Sequence, residues 1–434
     1  MQKAWYVFVR YWVRLAIKLF YRRIEILGTE DYPADGPVLL APNHQNAFMD
    51  ALIPAVFGPR PIHFLVRADV FKSKFAKWFF HSLNMMPVYR QRDGMANLAK
   101  NEEVFEMCFD ILRNDGTLLI FPEAGHLGER RLRPLSKGFT RIVFGAMEDN
   151  DHLNINIVPL GLNYTNYHQS QSRLLISYGQ PIAVKGFVET YKDSPARAMT
   201  KLRSELQRDL ENQIIHIEPK HSQRAFEIEM ERVLPFYLQR TSGFNQAQIQ
   251  HEFYKSREAF YCKLDEEGSY YNKLIIYDQI MKKKRLRAPF FFIKQKDMGY
   301  WFIQNLLLLI FLPLFALSWL IHAPTYFTIR AVLNKFVDDQ QFYSSIKLVG
   351  ALFLIPLFGL IFAITAAIIT KRPLFAISIV GVFFPLSIFI IRELRLPYRY
   401  TLTMWRMLWI KLRNKDLYKY LRSIEQNILK TLKS

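Results

Sequence analysis

An α/β domain joined to membrane-spanning helices is the fold class predicted, and three observations predict it. From residue 38 to about 214, short apolar runs alternate with segments of helical periodicity, the pattern of strands interleaved with helices. Three later runs, 302–323, 348–370 and 374–391, contain no Asp, Glu, Lys or Arg, and about 20 such residues cross a hydrocarbon core. Positive charge is gathered next to apolar sequence instead of being spread along the chain. Residues 1–23 hold six bases and no acid, residues 281–300 seven bases against Asp297, and residues 392–434 eleven bases against three acids. The block 24–280 has 29 bases and 32 acids. It therefore offers no basic field to follow a phosphodiester backbone, and the formal net charge of +20 speaks for an anionic membrane surface rather than nucleic acid.

The N-terminal segment AWYVFVRYWVRLAIKLFYRR lacks the long apolar core and small-residue cleavage site of a secretory signal, so it is read as retained. Arg10, Arg14 and Lys18 recur every four residues opposite Trp5, Phe8, Trp12 and Leu15. On a helix that spacing makes a basic stripe and an aromatic face, as in a helix lying in the membrane interface or, alternatively, one packed on a domain. Candidate strands follow at 38–43, 62–66, 86–90, 117–123, 155–164 and 173–181. Helical periodicity covers 46–57, 71–82, 96–113, 137–148 and, after Pro195, a stretch to about 214. Residues 220–280 mix Glu, Lys and aromatics without strand alternation and read as a helical connector.

The run from Lys282 to Arg287 places the end preceding the first apolar segment in the cytoplasm by the positive-inside rule. Three simple crossings would then carry the basic tail outside. One segment, kinked at Pro313, Pro356 or Pro385, is therefore expected not to cross fully. Cys108 and Cys262 show no ligand spacing and read as free thiols of a reducing compartment.

Four places carry chemistry. Asn43-His44-Gln45-Asn46-Ala47-Phe48-Met49-Asp50 leaves the first strand for a helix, where open α/β sheets place their sites. A His and an Asp six positions apart do not share one helix face, but a turn after His44 would return Asp50 to the ring. An imidazole held by a carboxylate at one nitrogen takes a hydroxyl proton at the other. The segment 86–90 ends in Arg90, followed by Arg92, and the planar fork of an arginine suits a phosphate. Phe121-Pro122-Glu123-Ala124-Gly125-His126 precedes Arg130, Arg131, Arg133, Lys137 and Gly138, a turn and a set of bases able to hold an anion. Ile157-Val158-Pro159-Leu160-Gly161 is a strand with a proline and a glycine. Taken singly, each of these is also an ordinary feature: an incidental spacing, a surface ion pair, a turn or core packing.

In this order and at this spacing, across roughly residues 25–215, the four resemble the sequence blocks of the glycerolipid acyltransferase family, which includes glycerol-3-phosphate and lysophosphatidate acyltransferases. The resemblance implies a mixed sheet with flanking helices. It makes His44 the general base and Asp50 its orienting acid. Asn43, Arg90, Glu123, Gly125 and Lys137 become contacts of a phosphorylated acceptor, and Pro159 part of the acyl site. Family members mostly place four residues between the histidine and the aspartate, whereas this chain has five, and Ala124 replaces a usual glycine. The form NHxNxFxD is similar to the eukaryotic-type glycerol-3-phosphate acyltransferases.

The chain is thus expected to comprise an interfacial helix (1–23), an acyltransferase domain (24–215), a connector (216–300), transmembrane segments (301–391) and a basic amphipathic tail (392–434). As a membrane-bound enzyme facing the cytoplasm it would move an acyl group from acyl-CoA or acyl carrier protein to glycerol 3-phosphate or lysophosphatidate. Anionic membrane lipids are the other expected partner, and no metal or other cofactor is implied. The alternatives are an acceptor of another kind, such as an aminoacyl lipid or other lysolipid, and a non-catalytic lipid-binding membrane protein. A transporter is disfavoured because the three spans hold none of the four charged residue types that mark an ion path.

Overall fold

The computed structural model describes residues 2–89, 100–123, 125, 128–148, 152–217, 220–232, 234, 245–262, 268–286 and 298–433. They divide into two units: Met1–Ile217 with Ala247–Glu258, and Glu218–Gln246 with Ala259–Ser434. In the first unit, α1 (Gln2–Phe20), β1 (Arg23–Leu27), β2 (Val38–Pro42), α2 (Ala47–Phe57), β3 (Ile62–Arg67), α3 (Lys74–Ser82) and β4 (Met85–Val88) come in that order. Next are α4 (Lys100–Arg113), β5 (Thr117–Leu119), α5 (Gly138–Met147), β6 (Asn156–Tyr164), β7 (Arg173–Tyr178), β8 (Ile182–Ala183), α6 (Val188–Asp193) and α7 (Pro195–Gln213).

The strands form one mixed sheet in the order β1-β7-β6-β2-β5-β3-β4, with β8 also on β6. Strands β2 to β6 run parallel, while β7 is antiparallel to β6 and parallel to β1. All five residues of β2 are buried, as a central strand covered on both faces requires. On one face, Leu39 and Ala41 join Phe139 and Val143 of α5 and Leu202 and Leu206 of α7 in a continuous core. Because β2 and β5 are parallel, with Leu40 opposite Leu119, the segments leaving their C-terminal ends emerge at the same edge of the sheet.

Two strands were not foreseen. In β1, Arg23 and Glu25 pair at 3.0 Å and interrupt the hydrophobic pattern, which an edge strand with one neighbour tolerates. Strand β8 has two residues, too few for any periodicity. The helix anticipated from residue 71 begins at Lys74, because the Ser73 hydroxyl accepts the Ala76 N–H and caps it. Arg90, Arg92, Ala124 and His126 lie outside the described residues.

In the N-terminal helix most of the basic stripe meets the domain, while the aromatic face points outward. Arg10 donates to the Gly58 carbonyl at 2.5 Å, and the Arg14 guanidinium lies 5.2 Å over the Phe57 ring. Two of the three stripe residues thus hold α1 to the end of α2. Phe8, Tyr11, Trp12 and Leu15 face outward, and only Lys18 of the stripe is exposed.

The second unit is helical: α8 (Lys220–Arg232), part of α9 (Gln246–Cys262), α10 (Ser269–Lys283), α11 (Met298–Phe336), α12 (Tyr343–Thr370), α13 (Pro373–Arg413) and α14 (Lys415–Lys433). Among the described residues, three helical segments are long and apolar enough to cross a membrane: Asn305–Phe336, Gln340–Thr370 and Pro373–Arg413. Pro313, Pro356 and Pro385 lie inside continuous helices. The second and third segments are joined by a tight turn in which Lys371 takes a left-handed conformation and Pro373 opens the next helix. Away from these segments, Asp278 of α10 is held by Arg224 and Arg232 of α8 and by Lys282.

Candidate active site

The site is built at the C-terminal edge of β2. Asn43 is fully buried and its side chain copies a strand residue. Its amide donates to the Leu162 carbonyl at 3.2 Å, and its Oδ1 accepts the Leu162 N–H at 2.7 Å. Both ends are thereby committed to β6, so Asn43 pins the loop from behind. The chain then turns at Ala47, the first residue of α2, whose φ of 42° lies in the left-handed region. A non-glycine residue there carries strain, and such strain accumulates at functional sites. The turn accommodates the fifth residue between His44 and Asp50.

As a result, His44 Nδ1 stands 3.0 Å from Asp50 Oδ2. The same oxygen accepts the backbone N–H groups of Gln45 at 2.8 Å and Asn46 at 2.6 Å. Asp50, in the first turn of α2, thus caps its own helix. Oδ1 accepts the Tyr164 hydroxyl at 2.6 Å. A carboxylate only accepts, so Nδ1 carries a ring proton, which leaves Nε2 the lone pair whenever the ring is neutral. The imidazole is stacked on Phe121, with centroids 3.8 Å apart and planes 15° apart. The His44 side chain is 15% exposed and that of Asp50 is 0% exposed.

Glu123 joins two loops. Its Oε1 accepts the His44 N–H at 2.8 Å and its Oε2 the Arg133 N–H at 2.9 Å. Burial pushes its carboxyl up to about 7, against the opposing pull of those two N–H groups. Gly125 lies beside Arg133, whose Nη1 would be 3.1 Å from a Cβ placed there. Lys137 is exposed at the N-cap of α5. Pro159 is buried inside the sheet opposite Ala41. Its missing N–H falls where β6 changes partner from β7 to β8, and its carbonyl accepts the Gly179 N–H at 2.8 Å.

His44, Asp50, Glu123 and Asn43 are therefore gathered by hydrogen bonds to the ends of β2, β5 and β6. Gly125, Lys137 and Pro159 occupy the flanking turn, the next helix start and the adjacent strand. The sequence did not single out Tyr164 or the pair of Tyr167 and Gln45, bonded through the Tyr167 hydroxyl at 2.7 Å. The available signal was a tyrosine closing a buried strand, since a buried phenol needs a polar partner.

Comparison with known proteins is consistent with these blocks. Residues 23–163 match the profile of the Acyltransferase family. Glycerol-3-phosphate O-acyltransferase 2 of Saccharomyces cerevisiae is 35% identical over 111 residues, 25% of this chain and 15% of that protein. Glycerol-3-phosphate O-acyltransferase 1 of the same yeast is 33% identical over 81 residues, 19% of this chain and 11% of that protein. The matched part thus spans only a small fraction of the curated relatives' own length. Among solved structures, the 1-acyl-sn-glycerophosphate acyltransferase PlsC of Thermotoga maritima aligns with a TM-score of 0.36 and 18% identity, covering 48% of this chain and 80% of that one. Over residues 23–163 the chain thus matches the Acyltransferase family model, and part of it is similar to the yeast glycerol-3-phosphate O-acyltransferases.

Proposed function

We propose that the chain is a membrane-bound O-acyltransferase that moves a fatty acyl group from a thioester, acyl-CoA or acyl carrier protein, to a hydroxyl of glycerol 3-phosphate. The single observation that carries this reading is the His44–Asp50 pair at 3.0 Å, set at the end of a central strand, with the His44 side chain partly exposed and that of Asp50 fully buried. In the proposed reaction the acceptor O–H gives its proton to His44 Nε2 while its oxygen attacks the thioester carbonyl carbon. The C–S bond then breaks, and the departing sulfur takes the proton back from the imidazolium. Asp50 holds the ring in the working tautomer and balances the transient positive charge. No acyl-enzyme is needed.

An unacylated acceptor is favoured over lysophosphatidate because the two yeast relatives are glycerol-3-phosphate O-acyltransferases. Arg90, Arg133 and Lys137 supply cations for its phosphate, Gly125 lets the backbone approach it, and Pro159 belongs to the wall of the acyl site. The basic run Lys282–Arg287 supports placement of the domain on the cytoplasmic side.

The test is the purified full chain with radiolabelled acyl-CoA or acyl carrier protein, offered glycerol 3-phosphate, lysophosphatidate and other lysolipids. Labelled lysophosphatidate from glycerol 3-phosphate is expected, and His44→Ala should lower turnover by about 10²- to 10⁴-fold. Label appearing only in another acceptor would replace the substrate assignment. Near-normal turnover in His44→Ala would remove the mechanism, and no transfer to any acceptor would leave a lipid-binding protein.

A further inference from the structure

Asp50 has two oxygens with unequal surroundings. Oδ2 is crowded by the His44 ring and two backbone N–H groups. Oδ1 accepts a phenol from a strand 114 positions away in the chain, at 2.6 Å. Tyr164 and Asp50 are both completely buried. The Tyr164 ring is wedged between Tyr21 and Tyr167, with centroids at 6.0 and 5.5 Å. Its carbonyl is in turn held by Arg130, which donates from Nη1 to Tyr164 at 2.8 Å and from Nη2 to Thr165 at 3.3 Å, with its guanidinium 4.7 Å over Tyr167. That tyrosine reaches back to the His44 loop through Gln45, and its carbonyl accepts the Asn46 side-chain amide at 3.3 Å. The end of β6 and the loop after it therefore grip the segment from residue 45 to 50 at three points, and one of them is the orienting carboxylate itself.

From this geometry we infer that Tyr164 is a positioning residue of the acyl-transfer site: its hydroxyl fixes the Asp50 carboxylate and damps its charge, and so sets the basicity of His44. The inference rests on the His44–Asp50 reading above. A hydrogen bond from a neutral donor to a buried carboxylate is stronger than a neutral pair, and it withdraws charge from the oxygen facing the imidazole. Burial and the neighbouring Asp50 push the Tyr164 phenol well above its ordinary range, so it remains a donor through the whole working range. The other titratable groups around the pair are Glu123 from the loop after β5, Tyr21 from the end of α1 and Tyr167 from the loop after β6. Tyr21 is likewise pushed up by burial. Glu123, at about 7, is bonded to backbone on both oxygens and not to Tyr164.

The experiment measures kcat and KM across pH for the full chain in detergent, with thioester cleavage as the readout, in wild type, Tyr164→Phe, Asp50→Asn and His44→Ala. A carboxylate relieved of its donor is a stronger partner for an imidazolium. The acid limb of kcat/KM in Tyr164→Phe is therefore expected to move up by about one pH unit. At the wild-type optimum kcat should fall about tenfold with acceptor KM nearly constant. Should the phenylalanine variant fold poorly, difluorotyrosine placed at position 164 keeps the ring and makes a stronger donor; its acid limb should move down. An unmoved acid limb in the folded variant, or limbs that shift the same way in both, would overturn the inference and leave Tyr164 as packing. If His44→Ala retained turnover, the underlying reading would fail instead, whatever Tyr164 did.

Discussion

Glu123 shows how one carboxylate serves assembly and titration together. Its two oxygens tie the backbone of His44 to that of Arg133, so it shapes the loop that presents the imidazole. Its carboxyl keeps a proton up to about 7 in the folded chain, against an ordinary value of 4.5. Between those limits the folded state binds more protons than the unfolded one. The contribution of this group to stability therefore falls as pH rises through the window and is flat above it. Glu123→Gln should remove that dependence. In chemical denaturation at pH 5, 6, 7 and 8, wild type is expected to lose on the order of 2 kcal/mol relative to the variant across the window. Parallel stability curves would show that the two backbone N–H groups outweigh burial and that the carboxylate is charged throughout.

At the level of elements, the sheet edge is positioned by the way α7 ends against β6. Gly161 has no room for a side chain, because a Cβ would stand inside the contact distance of the Gln213 carbonyl. Around that approach, the Asn163 amide donates to the Gln213 carbonyl at 2.8 Å. The Asn163 Oδ1 accepts the Ile215 N–H at 3.0 Å, and Ser177 donates to Gln213 Oε1 at 2.5 Å. The end of α7 is thus docked two residues before Asn163 and three before Tyr164. Gly161→Ala should push α7 away at a cost of about 1–3 kcal/mol, read as a lower Tm, and should lower turnover because β6 carries the donor to Asp50. A Tm equal to wild type would mean that the helix end shifts freely and takes no part in holding the strand.

Taken whole, the chain combines an α/β unit with a helical unit containing three segments of membrane-spanning length. The α/β unit has its own apolar surface. Trp5 of α1 stacks on Trp78 of α3 at 6.3 Å and donates from its indole to the Ser82 hydroxyl at 3.1 Å. Phe8, Tyr11 and Trp12 of the one helix and Phe75 and Trp78 of the other stay exposed. Lys72, Lys74 and Lys77 are exposed in the same stretch of chain as Phe75 and Trp78. Aromatic side chains on such a surface suit the acyl boundary, and lysines suit lipid phosphates. In the full chain reconstituted in bilayers, spin labels at Phe8→Cys, Trp12→Cys and Phe75→Cys are expected to be relaxed by oxygen more than by a water-soluble nickel chelate. A label at Arg208→Cys should behave the opposite way. Labels at 8, 12 and 75 that follow the aqueous relaxant would leave this face without lipid contact.

Much of this was legible in the primary sequence because it depends on local order. Charge-free runs of about 20 residues announce spanning helices without reference to any partner, and the alternation of short apolar runs with helical periodicity places β2 through β7 and the helices between them. His44 and Asp50 stand out because a strand end, a turn and a helix start are consecutive in the chain. Strand β1 escaped because its pairing with β7 joins residues about 150 positions apart, and its own five residues carry two charges. The direction in which α1 faces was undecidable from periodicity, since an amphipathic helix presents the same pattern whether its bases meet phosphates or the Gly58 carbonyl and the Phe57 ring. The hydroxyl on Asp50 Oδ1 was hidden for the same reason. Which tyrosine reaches a buried carboxylate depends on strand order, and strand order is set by long-range packing of the core, which no local window of sequence contains.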